Sequence, residues 1–260
     1  MSKKIMNILM LGDLIGNPGI KEVFLKLSQL KKKENIDLTI ANGENSDNGF
    51  GITEAVINDL KEYGVDIITS GNHIWSNDDA AKLLYNYNYL LRPANYPKAS
   101  GNGYWSGEIN GVNVGVVNLI GRYFMTPVDC PFAVLEKLIK NELKECSVIV
   151  VDFHAEYVAE KKALAFDFDG KISLIAGTHI HVQTADEMIL PNGTAYITDL
   201  GICGGLDSII GMNKDDVLKK TINQTVVPYV PSEENLCLQG VIAAIDTENG
   251  RAVEIKRISI

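Results

Sequence analysis

Cysteine is scarce and dispersed in this chain. Cys130, Cys146, Cys203 and Cys237 form no C-x-x-C pair, which argues against a zinc–thiolate site and a disulfide framework and fits a reducing cytoplasm. Positive charge is also in short supply, with 24 Lys and Arg against 33 Asp and Glu. The resulting net charge of −9 opposes a long grip on nucleic-acid backbone, because such binding is driven by neutralising phosphates. A small phosphate ligand is still compatible with that charge, since bound cations reverse it locally. No apolar run approaches the roughly 18 residues of a membrane span, so a soluble protein without membrane contact is expected. The start, Met1-Ser2-Lys3-Lys4, is basic, but the apolar run behind it continues towards Asp13 without a small-residue cleavage site, and no export signal is read.

What the sequence does contain is an alternation of strand and helix. Its 260 residues suit one α/β domain, 1–260. Apolar runs at 5–11, 36–41, 65–69, 148–151 and 172–176 read as buried strands. Pro18 stands at the start of a first helix, Thr53 caps a second, Ser76 a third, and Pro131 opens another that runs to Leu143. Residues 160–166 suggest one more. Asn110-Gly111 predicts a hairpin between strands 104–109 and 112–119. The pairs 185–190 with 194–198 and 240–245 with 253–258 read as further hairpins. Parallel units followed by antiparallel pairing predict two packed mixed sheets flanked by helices.

The chemistry-bearing residues gather where these strands end, the place at which α/β sheets present ligands. They are Asp13 in Gly12-Asp13, Glu44 and Asn45 in Gly43-Glu44-Asn45, and Asn72 and His73 in Gly71-Asn72-His73. His154 follows Asp152-Phe153, and His179 and His181 belong to Gly177-Thr178-His179-Ile180-His181. Taken singly, Asp13 reads first as a helix cap or turn residue and Asn45 and Asn72 as turn residues, while Glu44 and His154 read equally as structural or site residues. Taken together they are a mixed carboxylate, amide and imidazole donor set, and all four histidines of the chain sit in strand-end motifs. Such donors suit Fe, Mn or Zn, and a two-metal centre needs one group able to bridge. In an extended segment His179 and His181 would share one face and meet one metal centre.

On these motifs, together with Gly16-Asn17-Pro18-Gly19, Asp152-Phe153-His154-Ala155-Glu156 and Thr198-Asp199-Leu200-Gly201, the chain resembles the YmdB-like branch of the calcineurin-type metallophosphoesterases over nearly its whole length. The wider pattern has histidine two places after the first aspartate, where this chain has Ile15, and aspartate as the bridging group, where it has Glu44. Both departures are features of the branch. The run Ile202-Cys203-Gly204-Gly205 also departs from the Met-Thr-Gly-Pro-like stretch common there.

The resemblance implies a four-layer α/β/β/α sandwich and hydrolysis of small phosphodiesters, with 2′,3′-cyclic nucleotides as the substrate class. It implies two divalent or trivalent ions, Fe first and Mn or Zn as alternatives. Asp13, Glu44, Asn45 and His181 would surround one ion; Glu44, Asn72, His154 and His179 would surround the other, with Glu44 bridging. The ions would activate water for attack on phosphorus, and His73, without a metal, would be the general acid. A metal-containing regulatory binding protein of the same fold is the competing expectation, and a homo-oligomer is compatible with either.

Overall fold

The first apolar run becomes a strand, β1 (Ile5–Leu14), that is buried on both faces. Met6, Ile8 and Met10 enter one core while Leu9 and Leu11 enter another, which is the two-residue period of a strand sandwiched between layers. The computed structural model describes residues 4–260, and the basic start Met1 to Lys3 lies outside the described residues.

After β1 come α1 (Gly16–Glu34), β2 (Leu38–Asn42), α2 (Glu54–Tyr63), β3 (Ile67–Thr69), a 3-10 turn (Asn72–Trp75) and α3 (Ala80–Asn86). The middle of the chain forms β4 (Tyr104–Ile109), β5 (Val112–Ile120), α4 (Pro131–Lys140), β6 (Val148–His154), α5 (Val158–Asp167) and β7 (Leu174–Thr178). The remainder forms β8 (Met188–Ile189), β9 (Ala195–Ile197), β10 (Ile202–Gly205), α6 (Lys214–Asn223), β11 (Leu236–Asp246) and β12 (Ala252–Ser259).

Among the described residues these strands make two six-stranded sheets, ordered β12-β11-β10-β1-β2-β3 and β4-β5-β6-β7-β9-β8. Both are mixed: β1, β2 and β3 run parallel, as do β5, β6, β7 and β9, while β11 and β12 pair antiparallel. The sheets face each other across a core of Ile8, Met10, Ile40, Val114, Val150 and Val241. On the outer face of the first sheet Val23, Leu27, Ile57, Leu60 and Leu83 seat α1, α2 and α3. Leu135, Leu138 and Leu164 seat α4 and α5 on the second. The result is the four-layer α/β/β/α sandwich.

Local chemistry explains several boundaries. Thr53 accepts a hydrogen bond from the Val56 N–H and so caps α2. Asn110 and Gly111 both take positive φ, 51° and 79°, the combination a two-residue hairpin turn requires. Ser76 does not cap a helix as the sequence suggests. Its N–H closes the 3-10 turn on the His73 carbonyl at 2.9 Å, and α3 starts only at Ala80. Burial of Ile74 and the edge-to-face contact of Trp75 with Tyr96 hold that turn tight and delay the helix. Two elements gave no signal in the periodicity. The glycine-rich β10 is defined by its parallel pairing with β1 and antiparallel pairing with β11. The other, α6, buries only Val217 although Asn213 caps it well.

Candidate metal centre

The parallel strands of both sheets deliver their C-terminal ends to one edge, as open α/β sheets do. Asp13 lies near the end of β1, Glu44 and Asn45 in the turn after β2, Asn72 at the start of the 3-10 turn after β3, His154 at the end of β6, and His179 and His181 just past β7. Asp13, Glu44, Asn45 and His154 are all buried.

One group of donors is centred on His154. Its Nε2 lies 2.9 Å from Glu44 Oε1, 3.1 Å from Asn72 Oδ1 and 3.0 Å from His179 Nδ1. One donor atom from each of Glu44, His154 and His179 falls within 4.8 Å of the others. The opposite ring nitrogens are already engaged. His154 Nδ1 is 2.9 Å from Thr178 Oγ1, whose hydroxyl donates to Asp152 Oδ1 at 2.7 Å. The Thr178 oxygen is therefore the acceptor of the His154 Nδ1–H. His179 Nε2 is likewise 3.1 Å from Glu156 Oε2. These partners set both tautomers and leave two imidazole lone pairs facing each other beside a carboxylate oxygen and an amide oxygen.

A cluster made only of acceptors is repulsive until a cation enters it. The two imidazoles are poor proton acceptors, because burial holds both His154 and His179 down to about 3. Glu44 Oε1 has no hydrogen-bond partner although it is buried, and burial pushes its carboxyl pKa up despite the opposing influence of His73. Nitrogen and oxygen donors with an unpartnered buried carboxyl oxygen among them fit a transition-metal ion.

The second group is less starved. Asn45 Nδ2 lies 3.4 Å from Asp13 Oδ1 and 3.3 Å from His181 Nε2, and those two acceptors are 3.8 Å apart. A half-turn of the Asn45 amide presents its oxygen in place of its nitrogen. The Ile210 carbonyl, 2.9 Å from His181 Nδ1, accepts that N–H and keeps Nε2 free on the inner side. The seven predicted donors thus fall into two groups, Glu44, Asn72, His154 and His179 in one and Asp13, Asn45 and His181 in the other. The Asp13 Oδ2 accepts the backbone N–H of His179 at 3.1 Å, linking one group to the other.

The expectation of an extended His179-Ile180-His181 segment is corrected by the backbone. His179 has φ 102° and His181 φ 61°, left-handed values that L-residues seldom adopt. The loop is over-determined by its anchors: besides Asp13 on His179, Asp199 Oδ2 accepts the Ile180 N–H at 3.2 Å. Lys161 Nζ then bonds both the Thr178 carbonyl and Asp199 Oδ2 at 2.8 Å. The Lys161 and Asp199 side chains are 1% and 0% exposed. Burial pushes the Asp199 carboxyl up to about 6 against the opposing pull of Lys161. Lys161→Met leaves that carboxylate buried without its counter-charge, and breaking such a pair costs about 3–5 kcal/mol. Urea unfolding of the variant should show a loss of that order, partly recovered in Lys161→Met with Asp199→Asn; a loss below about 1 kcal/mol would count against the clamp.

His73, predicted beside the donors and not among them, presents its backbone N–H to Glu44 Oε2 at 2.8 Å. Its ring packs edge-to-face on Phe50, 4.9 Å between centroids. Gly71 is required by proximity: a Cβ there would lie 2.3 Å from the His154 ring and 2.5 Å from Glu44 Oε2. Ile15, where the wider pattern has histidine, is fully buried against Ile202, Met212 and Val217. Lys161, Asp152 and Glu156 had no assigned role in the sequence reading. Asp152 and Glu156 flank His154 in its motif, whereas Lys161 sits in an ordinary lysine-bearing helix.

Three comparisons bear on this arrangement. Residues 9–258 match the family model described as YmdB-like protein. A Bacillus subtilis protein described as 2′,3′-cyclic-nucleotide 2′-phosphodiesterase is 41% identical over 256 residues, covering 98% of this chain and 97% of the relative. The crystal structure of a phosphatase from Mycoplasma pneumoniae superposes with a TM-score of 0.93 at 35% identity, covering 100% of this chain and 94% of that one. A Thermus thermophilus protein of unstated function superposes with a TM-score of 0.92 at 36% identity, covering 98% and 99%. The donor groups at the strand ends and these full-length similarities lead to one conclusion: the chain belongs to the YmdB-like family of metallophosphoesterases and is a phosphoric ester hydrolase.

Proposed function

We propose that this chain is a dinuclear metal-dependent phosphodiesterase acting on small diesters, with 2′,3′-cyclic nucleotides as its substrate class. The observation that carries the reading is the acceptor-only cluster around His154 Nε2, joined to the Asp13, Asn45 and His181 group through the His179 N–H that Asp13 Oδ2 accepts. Asp13, Glu44, Asn45 and His181 would hold one ion, and Glu44, Asn72, His154 and His179 the other. Fe is our first choice, with Mn or Zn as alternatives. When bound, the ions supply positive charge to phosphate oxygens and acidify water.

The remaining chemistry is assigned to the chain's own residues. Thr178, Glu156 and the Ile210 carbonyl keep three imidazoles in the tautomers that turn lone pairs inward. The His73 N–H fixes the Glu44 carboxylate, and its imidazole, outside the donor set, is our proton donor. In a cyclic phosphate, a water that has released one proton to solvent bonds through its oxygen to phosphorus, and the bond from phosphorus to the ribose 2′ oxygen breaks. That oxygen keeps the bonding pair and takes the proton from His73. Four free cysteines support a reducing cytoplasm as the working compartment.

The test is turnover by purified protein supplied with Fe(II) or Mn(II), against 2′,3′-cyclic nucleotides, phosphomonoesters, amides and long RNA. Cyclic diesters should open at the 2′ side and outpace the other classes, and a net charge of −9 should leave long RNA weakly bound at physiological salt. Metal-replete protein without turnover of any diester would favour the binding-protein reading instead. Nanomolar RNA affinity that falls steeply with salt would refute the small-substrate assignment.

A further inference from the structure

Phe50 is an apolar ring that no core accounts for. It is 37% exposed and belongs to none of the four buried clusters. The turn that carries it is fixed. Its own N–H bonds the Asp47 carbonyl at 2.9 Å, the Asp47 N–H bonds the Gly51 carbonyl at 3.0 Å, and the Asn77 amide spans the Asp47 carboxylate and the Ile52 carbonyl. Positive φ at Asn48, Gly49 and Gly51 sets the shape of this turn. The ring is therefore held at the surface by its backbone and is not left there by a loose loop.

Its neighbours place it beside the candidate metal centre. The Phe50 ring centroid is 4.9 Å from that of His73, and the His73 N–H is 2.8 Å from Glu44 Oε2. On another side Tyr229 lies 5.9 Å away, and the Lys220 ammonium sits 4.0 Å over the Tyr229 ring. One residue thus separates a half-exposed aromatic surface from the Glu44 donors, much as ribose separates base from phosphate in a nucleotide.

We infer that Phe50, backed by Tyr229, is the stacking face for the nucleobase of a bound nucleotide, and that it gives this enzyme its preference for nucleotides over base-free diesters. The inference rests on the cyclic-nucleotide reading above. Stacking on an aromatic ring tolerates every base because each has a π-face, and it favours the larger purine surface. Selectivity should therefore be broad, with purines ahead of pyrimidines.

The experiment compares 2′,3′-cyclic AMP with glycerol 1,2-cyclic phosphate, which carries the same strained diester and no base, in wild type, Phe50→Ala and Phe50→Tyr with metal content checked. In Phe50→Ala the nucleotide-to-glycerol ratio of kcat/KM should fall about 5- to 100-fold, mainly through KM, the range measured for losing one base–aromatic stack. Phe50→Tyr should restore most of the ratio. Equal losses on both substrates would mean that Phe50 merely props His73, and would overturn the inference. A second arm measures adenosine 3′-monophosphate and inorganic phosphate as competitive inhibitors. Phe50→Ala should weaken the nucleotide relative to phosphate by a similar factor. If wild type opens the glycerol ester and not the nucleotide, the substrate reading fails; the inhibitor arm then decides stacking alone, and a nucleotide that binds wild type no better than phosphate overturns it.

Discussion

Glu44→Ala is expected to lose both metal ions, whereas Asn45→Ala should weaken one. The Glu44 side chain meets His154 Nε2 through Oε1 and the His73 N–H through Oε2, and in the proposed two-ion centre it is the carboxylate shared by both sites. On that reading its removal deletes charge from both sites, while Asn45 contributes a neutral amide to the Asp13 and His181 group alone. Elemental analysis of each variant after loading reads this directly. Stability gives an independent readout. A ligand present at about 100 to 1,000 times its Kd stabilises the folded state by roughly 2.7–4.1 kcal/mol, so wild type should unfold at markedly higher temperature with metal than with chelator. That shift should vanish in Glu44→Ala. Glu44→Gln keeps an acceptor for the His73 N–H and removes only the charge, so it should follow Glu44→Ala in metal content. A purely structural Glu44 would instead lower stability equally with and without metal, and equal metal loss in Glu44→Ala and Asn45→Ala would count against a shared role.

The strands were legible because burial on both faces leaves continuous apolar runs, and the turns because Asn110-Gly111 and Thr53 have local reasons to be where they are. The convergence of the seven candidate donors was legible only from their joint occurrence at strand ends, because singly Asp13, Asn45 and Asn72 serve equally well as caps or turns. What escaped is what depends on distant partners. β10 is a strand only because β1 and β11 flank it, and nothing in Ile202-Cys203-Gly204-Gly205 advertises that. The left-handed backbone of His179 and His181 is imposed by Asp13, Asp199 and Lys161, which reach the loop from β1, from the segment after β9 and from α5. The alternation His179-Ile180-His181 suggested two residues on one strand face, and the real convergence is made by loop conformation. Lys161 was invisible for a similar reason: a lysine in a helix reads as solvated, and its burial depends on Asp199 being packed beside it.

His73→Ala should retain its metals and lose about 10²- to 10⁴-fold in kcat/KM on 2′,3′-cyclic nucleotides, the range that a positioned general acid supplies. Its metal content should hold because the hydrogen bond to Glu44 is made by the His73 backbone N–H, which alanine preserves, while the imidazole packs against Phe50. The size of the loss should depend on the departing oxygen. A ribose 2′ oxygen leaves as a strongly basic alkoxide unless it is protonated, whereas a nitrophenolate leaves as a stabilised anion and needs little help. Bis(p-nitrophenyl) phosphate should therefore suffer far less from the substitution than 2′,3′-cyclic AMP. A His73 that only held the phosphate by hydrogen bonding would assist both substrates alike, since their transferred phosphoryl oxygens carry similar charge. Measuring kcat/KM for both substrates in wild type and His73→Ala, with metal content determined on the same samples, separates the roles. Equal losses would reject the acid assignment, and loss of metal would show that the imidazole belongs to the donor set after all.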